Sequence, residues 1–300
     1  KALTSLDLSS GTPTSNTTQF NTSNVTNMRN MFKDTGYTAM TTLNLGTNFN
    51  TSNVTNMEAM FYETGYKALN KLDLSSGTTA TNTTQFNTSS VTNMNNMFSG
   101  CNNLASLDIT NFNTGNVTDM AYMFSGCSNL ASLELRYFDT ANVQDMSNMF
   151  EECSELTNIN LLRFDTSNVE KMDYMFKGCT RLQKIDVTEF DTSKVASMVS
   201  MFESCSSLKT LDLNSFNTNS IITASDAMFK NCSVLTSILL GENFNKLTGA
   251  EMFTGCNDLK TIIAQNSEAM ELSDNTGIKN LTNAVLYVKN ATSQTAYKSA

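Results

Sequence analysis

"VTNMNNMFSGCNNLASLDIT" occupies residues Val91–Thr110 and carries two periodicities, one after the other. In its first half Val91, Met94, Met97, Phe98 and Cys101 fall at offsets 0, 3, 6, 7 and 10. At about 100° per residue these positions share one side of a helix, inside an arc of roughly 120°. In its second half Leu107 and Ile109 alternate with Ser106, Asp108 and Thr110, the period-two spacing of a half-buried strand. The stretch therefore predicts a short helix followed by a strand. Ser90 and Asn116, directly before their valines, suit a helix N-cap, and Asp119 suits the helix dipole. Gly100, Gly126, Gly178 and Gly255, each directly before a cysteine, would end such helices in a left-handed conformation. Helices this short depend on packing.

The same text recurs along the chain. Residues Phe20–Phe32 read "FNTSNVTNMRNMF", Phe49–Phe61 "FNTSNVTNMEAMF" and Phe86–Phe98 "FNTSSVTNMNNMF". Met-Phe marks the register at Met31, Met60, Met97, Met123, Met149, Met175, Met201, Met228 and Met252, with a constant step of 26 from Met97 to Met201. Cysteine keeps that step from Cys101 through Cys127, Cys153 and Cys179 to Cys205, then continues at Cys232 and Cys256. A fixed period in this range marks copies stacked as coils. The strand motif returns at Leu6–Leu8, Leu72–Leu74, Leu133–Leu135, Ile185–Val187 and Leu211–Leu213. One strand per coil, always in one direction, makes a parallel sheet with a step of about 4.8 Å.

The expected fold is α/β: a right-handed leucine-rich-repeat-like solenoid with one parallel β-strand and one short helix per coil. It would run over residues 1–300 as a single domain, about ten coils, with 264–300 as a degenerate last coil and C-terminal cap. The opening "KALTSLDLSS" starts partway through a repeat, so the chain reads as a piece of a longer protein.

Composition narrows the function classes. The net charge is −9 and no run of Lys or Arg interrupts it, which disfavours nucleic acid and anionic membrane as partners. No apolar run approaches the roughly 18 residues of a membrane-spanning helix. Histidine is absent, which removes the commonest general base, every His-containing triad and ordinary zinc spacings. No catalytic residues, metal or cofactor are expected. The seven cysteines should point inward in parallel as buried free thiols, with Gly36-Tyr37 and Gly65-Tyr66 replacing the cysteine in two early copies.

Two polar columns accompany the core. The middle strand position carries Asp7, Asp73, Asp108, Glu134, Asp186 and Asp212, interrupted by Asn44 and Asn160; it reads as a solvated acidic face rather than a cation site. Thr22, Thr51, Thr88, Thr114, Thr140, Thr166, Thr192 and Thr218 each follow Asn or Asp. They are expected to satisfy backbone groups at a corner rather than to form an ice-binding face.

Departures from the repeat supply the candidate contacts. Inserts at Ser9–Gln19 and Ser75–Gln85 replace a two-residue link and leave from the same corner. Loops on a rigid scaffold favour recognition, with Thr12, Thr14 and Asn16 in the first and Thr78 and Asn82 in the second as candidates. In two adjacent coils "RYF" (Arg136–Phe138) and "LRF" (Leu162–Phe164) replace the polar Thr110–Phe112. If the outward phase continues, Arg136 and Leu162 adjoin on the strand face, with Tyr137 and Arg163 at its edge, a hot-spot composition.

The units Val117–Val143, "VTDMAYMFSGCSNLASLELRYFDTANV", and Val169–Val195, "VEKMDYMFKGCTRLQKIDVTEFDTSKV", resemble the BspA-like leucine-rich-repeat surface proteins of bacteria. The likeness is to the subgroup built on Met-Phe, Cys and Phe-Asp-Thr. The closing "LYVKNATSQTAYKSA" (Leu286–Ala300) resembles the end of such arrays, with Lys289 where Pro is expected. The resemblance implies a module displayed on a bacterial cell surface, and the chain is expected to be a monomer. It would bind a protein or glycan of a host or neighbouring cell and perform no catalysis. The runner-up is a structural spacer that displays another domain.

Overall fold

The computed structural model describes residues 2–8, 21–45, 49–74, 86–222, 225–267, 270–272, 276, 278, 281 and 284–289. The strands are β1 (Ser5–Asp7), β2 (Thr42–Asn44), β3 (Lys71–Asp73), β4 (Ser106–Asp108), β5 (Thr210–Leu213), β6 (Ser237–Leu240), β7 (Lys246–Leu247), β8 (Thr261–Ala264), β9 (Glu271–Leu272) and β10 (Val285–Val288). All pairings are parallel. They join β1 to β2, β3 to β4, β7 to β9, and β5, β6, β8 and β10 into one four-stranded sheet. Equivalent residues face each other, Leu72 with Leu107 and Leu211 with Ile238, as repeated text requires. In the middle of the chain Leu133–Leu135 and Ile185–Val187 keep the strand alternation without pairing as strands: Leu135 and Val187 are buried while Glu134 and Asp186 are exposed.

The expected short helices are not formed; among the described residues there is no α-helix. From Met94 to Cys101 the chain is a run of turns in which successive amides choose different partners. Met97, Ser99 and Cys101 donate to the carbonyls three residues back, each at 3.1 Å. Met94, Asn96, Phe98 and Gly100 donate instead to Asp119, Ala121, Met123 and Ser125 of the next copy, at 2.7–3.0 Å. Asn96 (φ 57°) and Gly100 (φ 73°) are left-handed, as the third position of a type II turn demands, and the pair recurs at Tyr122 and Gly126, Asn148 and Glu152, Tyr174 and Gly178.

A line of parallel bridges links Asn27, Asn56, Asn93, Asp119, Asp145, Lys171 and Ser197 at the entry to these turns. Bridged backbones sit about 4.8 Å apart, whereas an α-helix with side chains is roughly 10 Å across. Copies joined this closely leave no room for helices, so the backbone meets its hydrogen-bonding requirement between copies instead. Asp119 accordingly caps a turn, accepting the Ala121 N–H at 2.9 Å, rather than opening a helix.

Inward phase survives the change of backbone. Val91, Met94, Met97, Phe98 and Cys101 are all buried, as are their equivalents in later copies. One phenylalanine column stacks Phe98, Phe124, Phe150, Phe176 and Phe202 with centroids 5.6–5.7 Å apart. A second runs through Phe112 and Phe138, 6.4 Å apart. Each such side chain removed from water contributes about 1.5–3 kcal/mol, which makes these columns the main cohesive element.

Candidate recognition surface

From β4 through β5 the strand segments end at sharp corners, and the outward polar column governs those corners. Thr110 donates its N–H to Asp108 Oδ1 at 3.1 Å, Thr188 to Asp186 at 3.1 Å and Asn214 to Asp212 at 2.9 Å. Glu134 and Asn160 do the same for Arg136 and Leu162, at 3.1 and 3.2 Å. These are side chains mimicking a turn by bonding the amide two residues on. The hydroxyl and amide of Thr188 hold the Asp186 carboxyl below the usual carboxylate range. The column thus has a structural task that its charge alone did not reveal. The legible signal was the two-residue spacing from each Asp, Asn or Glu to the corner.

Arg136-Tyr137 and Leu162-Arg163 occupy the corners themselves, not the strand face on which the alternation placed Arg136 and Leu162. A corner follows the strand, so the outward phase stops one residue sooner. They lie at equivalent positions of adjacent copies, where the flanking copies carry Thr110-Asn111 and Thr188-Glu189. The Arg136 guanidinium carbon lies 5.0 Å from the centre of the Tyr137 ring, and its Nε is 3.8 Å from Glu134. Tyr137 and Leu162 are 55% and 57% exposed, and Arg163 is exposed as well. The other candidates, Thr12, Thr14, Asn16, Thr78 and Asn82, lie outside the described residues.

A shallow open groove of about 470 Å³ lies beside this region on the strand face. Asn158, Ile159, Lys184, Ile185, Asp186, Thr188, Thr210 and Asp212 line it. It coincides with the stretch where Ile185–Val187 does not pair as a strand. Among the described residues no cluster of three or more His, Cys, Asp or Glu is placed to hold a metal ion.

The threonine column is buried. Thr114 Oγ1 donates to the Asp139 carbonyl and accepts the Asp139 N–H, both at 2.8 Å. Thr51 does the same with Asn87, at 2.6 and 2.7 Å, and Thr192 with Asn217, at 2.9 and 2.7 Å. Each hydroxyl therefore reproduces a peptide group's two bonds across the seam to the next copy, in keeping with the backbone role expected of it.

The seven cysteines are free and buried. Each thiol points at the carbonyl of the preceding copy's phenylalanine, as Cys153 does at Phe124, 3.2 Å away. Burial pushes Cys101 and Cys256 up to about 12 and raises the other five as well. In the second copy Thr64, not Gly65-Tyr66, stands in the cysteine position: its hydroxyl donates to Phe32 O at 2.7 Å. The Met-Phe count to Cys101 also leads to Thr64.

No curated protein matches the chain. A repeat family matches residues 12–79, 68–185 and 157–266, three overlapping spans that together cover most of the sequence. By this match the chain belongs to the family described as "Mycoplasma protein of unknown function, DUF285".

Proposed function

We propose that this protein is a surface recognition module, a right-handed leucine-rich-repeat-like solenoid akin to the BspA-like proteins. It binds a host or neighbouring-cell protein or glycan without catalysis. Its place is the exterior of a bacterial cell, and it acts as a monomer. The observation that carries this reading is the pair of corners at Arg136-Tyr137 and Leu162-Arg163. There a guanidinium stacks on an exposed ring beside an exposed leucine, where flanking copies show Thr, Asn and Glu. Arginine and aromatic residues dominate binding energy at interfaces, and a tightly bonded scaffold presents them at little ordering cost. The strand-face carboxylates are engaged as corner caps, which supports binding over acid–base chemistry.

The test is an array of glycans and extracellular-matrix proteins probed with three proteins: the intact chain, a form lacking Ser9–Gln19 and Ser75–Gln85, and the Arg136→Ala/Tyr137→Ala/Arg163→Ala variant. A hit that weakens at least tenfold in one of the altered forms is the expected result. The uniformity of the seams between copies favours the second reading, a spacer; an array without hits would select it.

A further inference from the structure

The outward column changes chemistry near the C-terminal end. Asp212 on β5 faces Leu239 on β6, Leu239 faces Ile263 on β8, and Ile263 faces Tyr287 on β10, all in parallel register. Toward the N-terminus the same column is polar: Asp7 beside Asn44 and Asp73 beside Asp108. Ile263 is 40% and Tyr287 55% exposed, with Val285 exposed on the same outer face. This is a contiguous apolar row on an otherwise polar face, and such a row marks an interaction site more often than a single exposed residue does.

The fold does not need these residues. In the preceding copies the outward Asp, Asn or Glu caps the corner amide. After β6 and β8 the neighbouring copy serves that purpose, with Gly241 N–H donating to Leu213 O at 3.3 Å and Gln265 N–H to Leu240 O at 3.0 Å. The cap position is thus released from its structural task, and what it carries is leucine, isoleucine and tyrosine. At its other end the row meets the groove, where Asp212 and Asp186 supply two carboxylates, with Lys184 on the same wall.

We propose that the outer face of β5, β6, β8 and β10 docks a basic polypeptide segment. Its apolar residues would seat on Leu239, Ile263 and Tyr287, and its Lys or Arg side chains would meet Asp212 and Asp186. Charge complementarity selects the occupant: the apolar row is continuous with an acidic column on a chain of net charge −9. Aliphatic side chains outnumber the one ring, which favours a polypeptide over a glycan. Both edges of β6 and β8 are already paired, so across these two strands the occupant is held through side chains. This inference rests on the recognition reading but uses a face separate from the Arg136 corner, so the two can fail independently.

The probe is a short fluorescent peptide alternating Leu, Ile and Phe with Ser, followed by three Lys or Arg residues. It is compared with one ending in Glu and one whose apolar residues are Ser. Fluorescence anisotropy on the intact protein should show binding of the first peptide only, weakened by added salt. Ile263→Ser/Tyr287→Ser and Asp186→Asn/Asp212→Asn should each reduce affinity about tenfold. Thermal melts of the exposed-site Ile263→Ser/Tyr287→Ser variant establish that it is folded. Arg136→Ala/Tyr137→Ala should leave peptide binding unchanged. Equal binding of the acidic peptide, failure of the basic peptide to bind at millimolar concentration, or undiminished binding by Ile263→Ser/Tyr287→Ser would overturn the proposal. So would self-association, read by sedimentation equilibrium, that disappears in Ile263→Ser/Tyr287→Ser, since the row would then be covered by a second copy. Array hits that depend on Arg136 but not on Ile263 would leave the recognition reading standing while this one falls.

Discussion

Thr114 shows how much one atom does at a seam, since its hydroxyl satisfies both the N–H and the C=O of Asp139. Thr114→Val keeps the shape and removes both bonds from part-buried backbone groups, so it should cost about 1–3 kcal/mol, whereas Thr114→Ser should lose far less; urea midpoints of the three proteins decide it. The thiols make a second prediction. Their folded pKa values lie above the unfolded value near 9, so the folded state holds protons that the unfolded state releases. Stability is then fully present below about pH 9 and falls as pH rises toward 12, by about 1.4 kcal/mol per thiol per pH unit within that window. Denaturant midpoints between pH 8 and 11 should drop steeply, and seven cysteines acting together make the slope large. That these cysteines are inward and free was legible in their shared step with Met-Phe. That Thr64 takes a cysteine's place was legible only in the count from Met-Phe, because the residue type changes while the fold needs only a small buried donor to the phenylalanine carbonyl.

The turn run is where sequence and fold part company. Inward spacing of three, three, one and three residues fits a helix and fits consecutive turns equally well, so Val91 to Cys101 could not choose between them. The choice lies with carbonyls 25 residues away, Asp119 to Ser125, which no local pattern displays. One local signal did exist: Asn96 and Gly100 stand four apart, and residues of that kind tolerate the left-handed region. Glu152 occupies the Gly100 position at φ 56°, which gives a test whose sign discriminates. In a helix Glu152→Gly would cost about 1 kcal/mol; in this turn it should relieve strain and stabilise by about 0.5 kcal/mol. Its denaturant midpoint should therefore rise. The far-UV circular dichroism of the intact protein should likewise lack the paired minima of helix. Strand placement was more legible, because period two has no rival over Ser106–Asp108, though Ile185–Val187 alternates without pairing.

At the scale of the molecule, the described backbone seam, threonine hydroxyls and ring columns join each copy to its immediate neighbours, and the Lys289–Glu242 ion pair near the C-terminal end reaches one copy further. Removing one whole period should therefore leave a sound protein. Deleting residues 143–168, so that Asn142 joins Val169, brings together two copies with the same text. The shortened chain should unfold cooperatively with an m-value reduced by about a tenth, while a deletion of half a period should destroy the fold. Since every seam is borne by the same few bonds, a chain held by its two ends would load those seams one after another in series. Tension would peel a single copy free before disturbing the next, each yielding about 90 Å of slack. The repeat would thus serve as a tether that pays out in increments, whatever its surface grips.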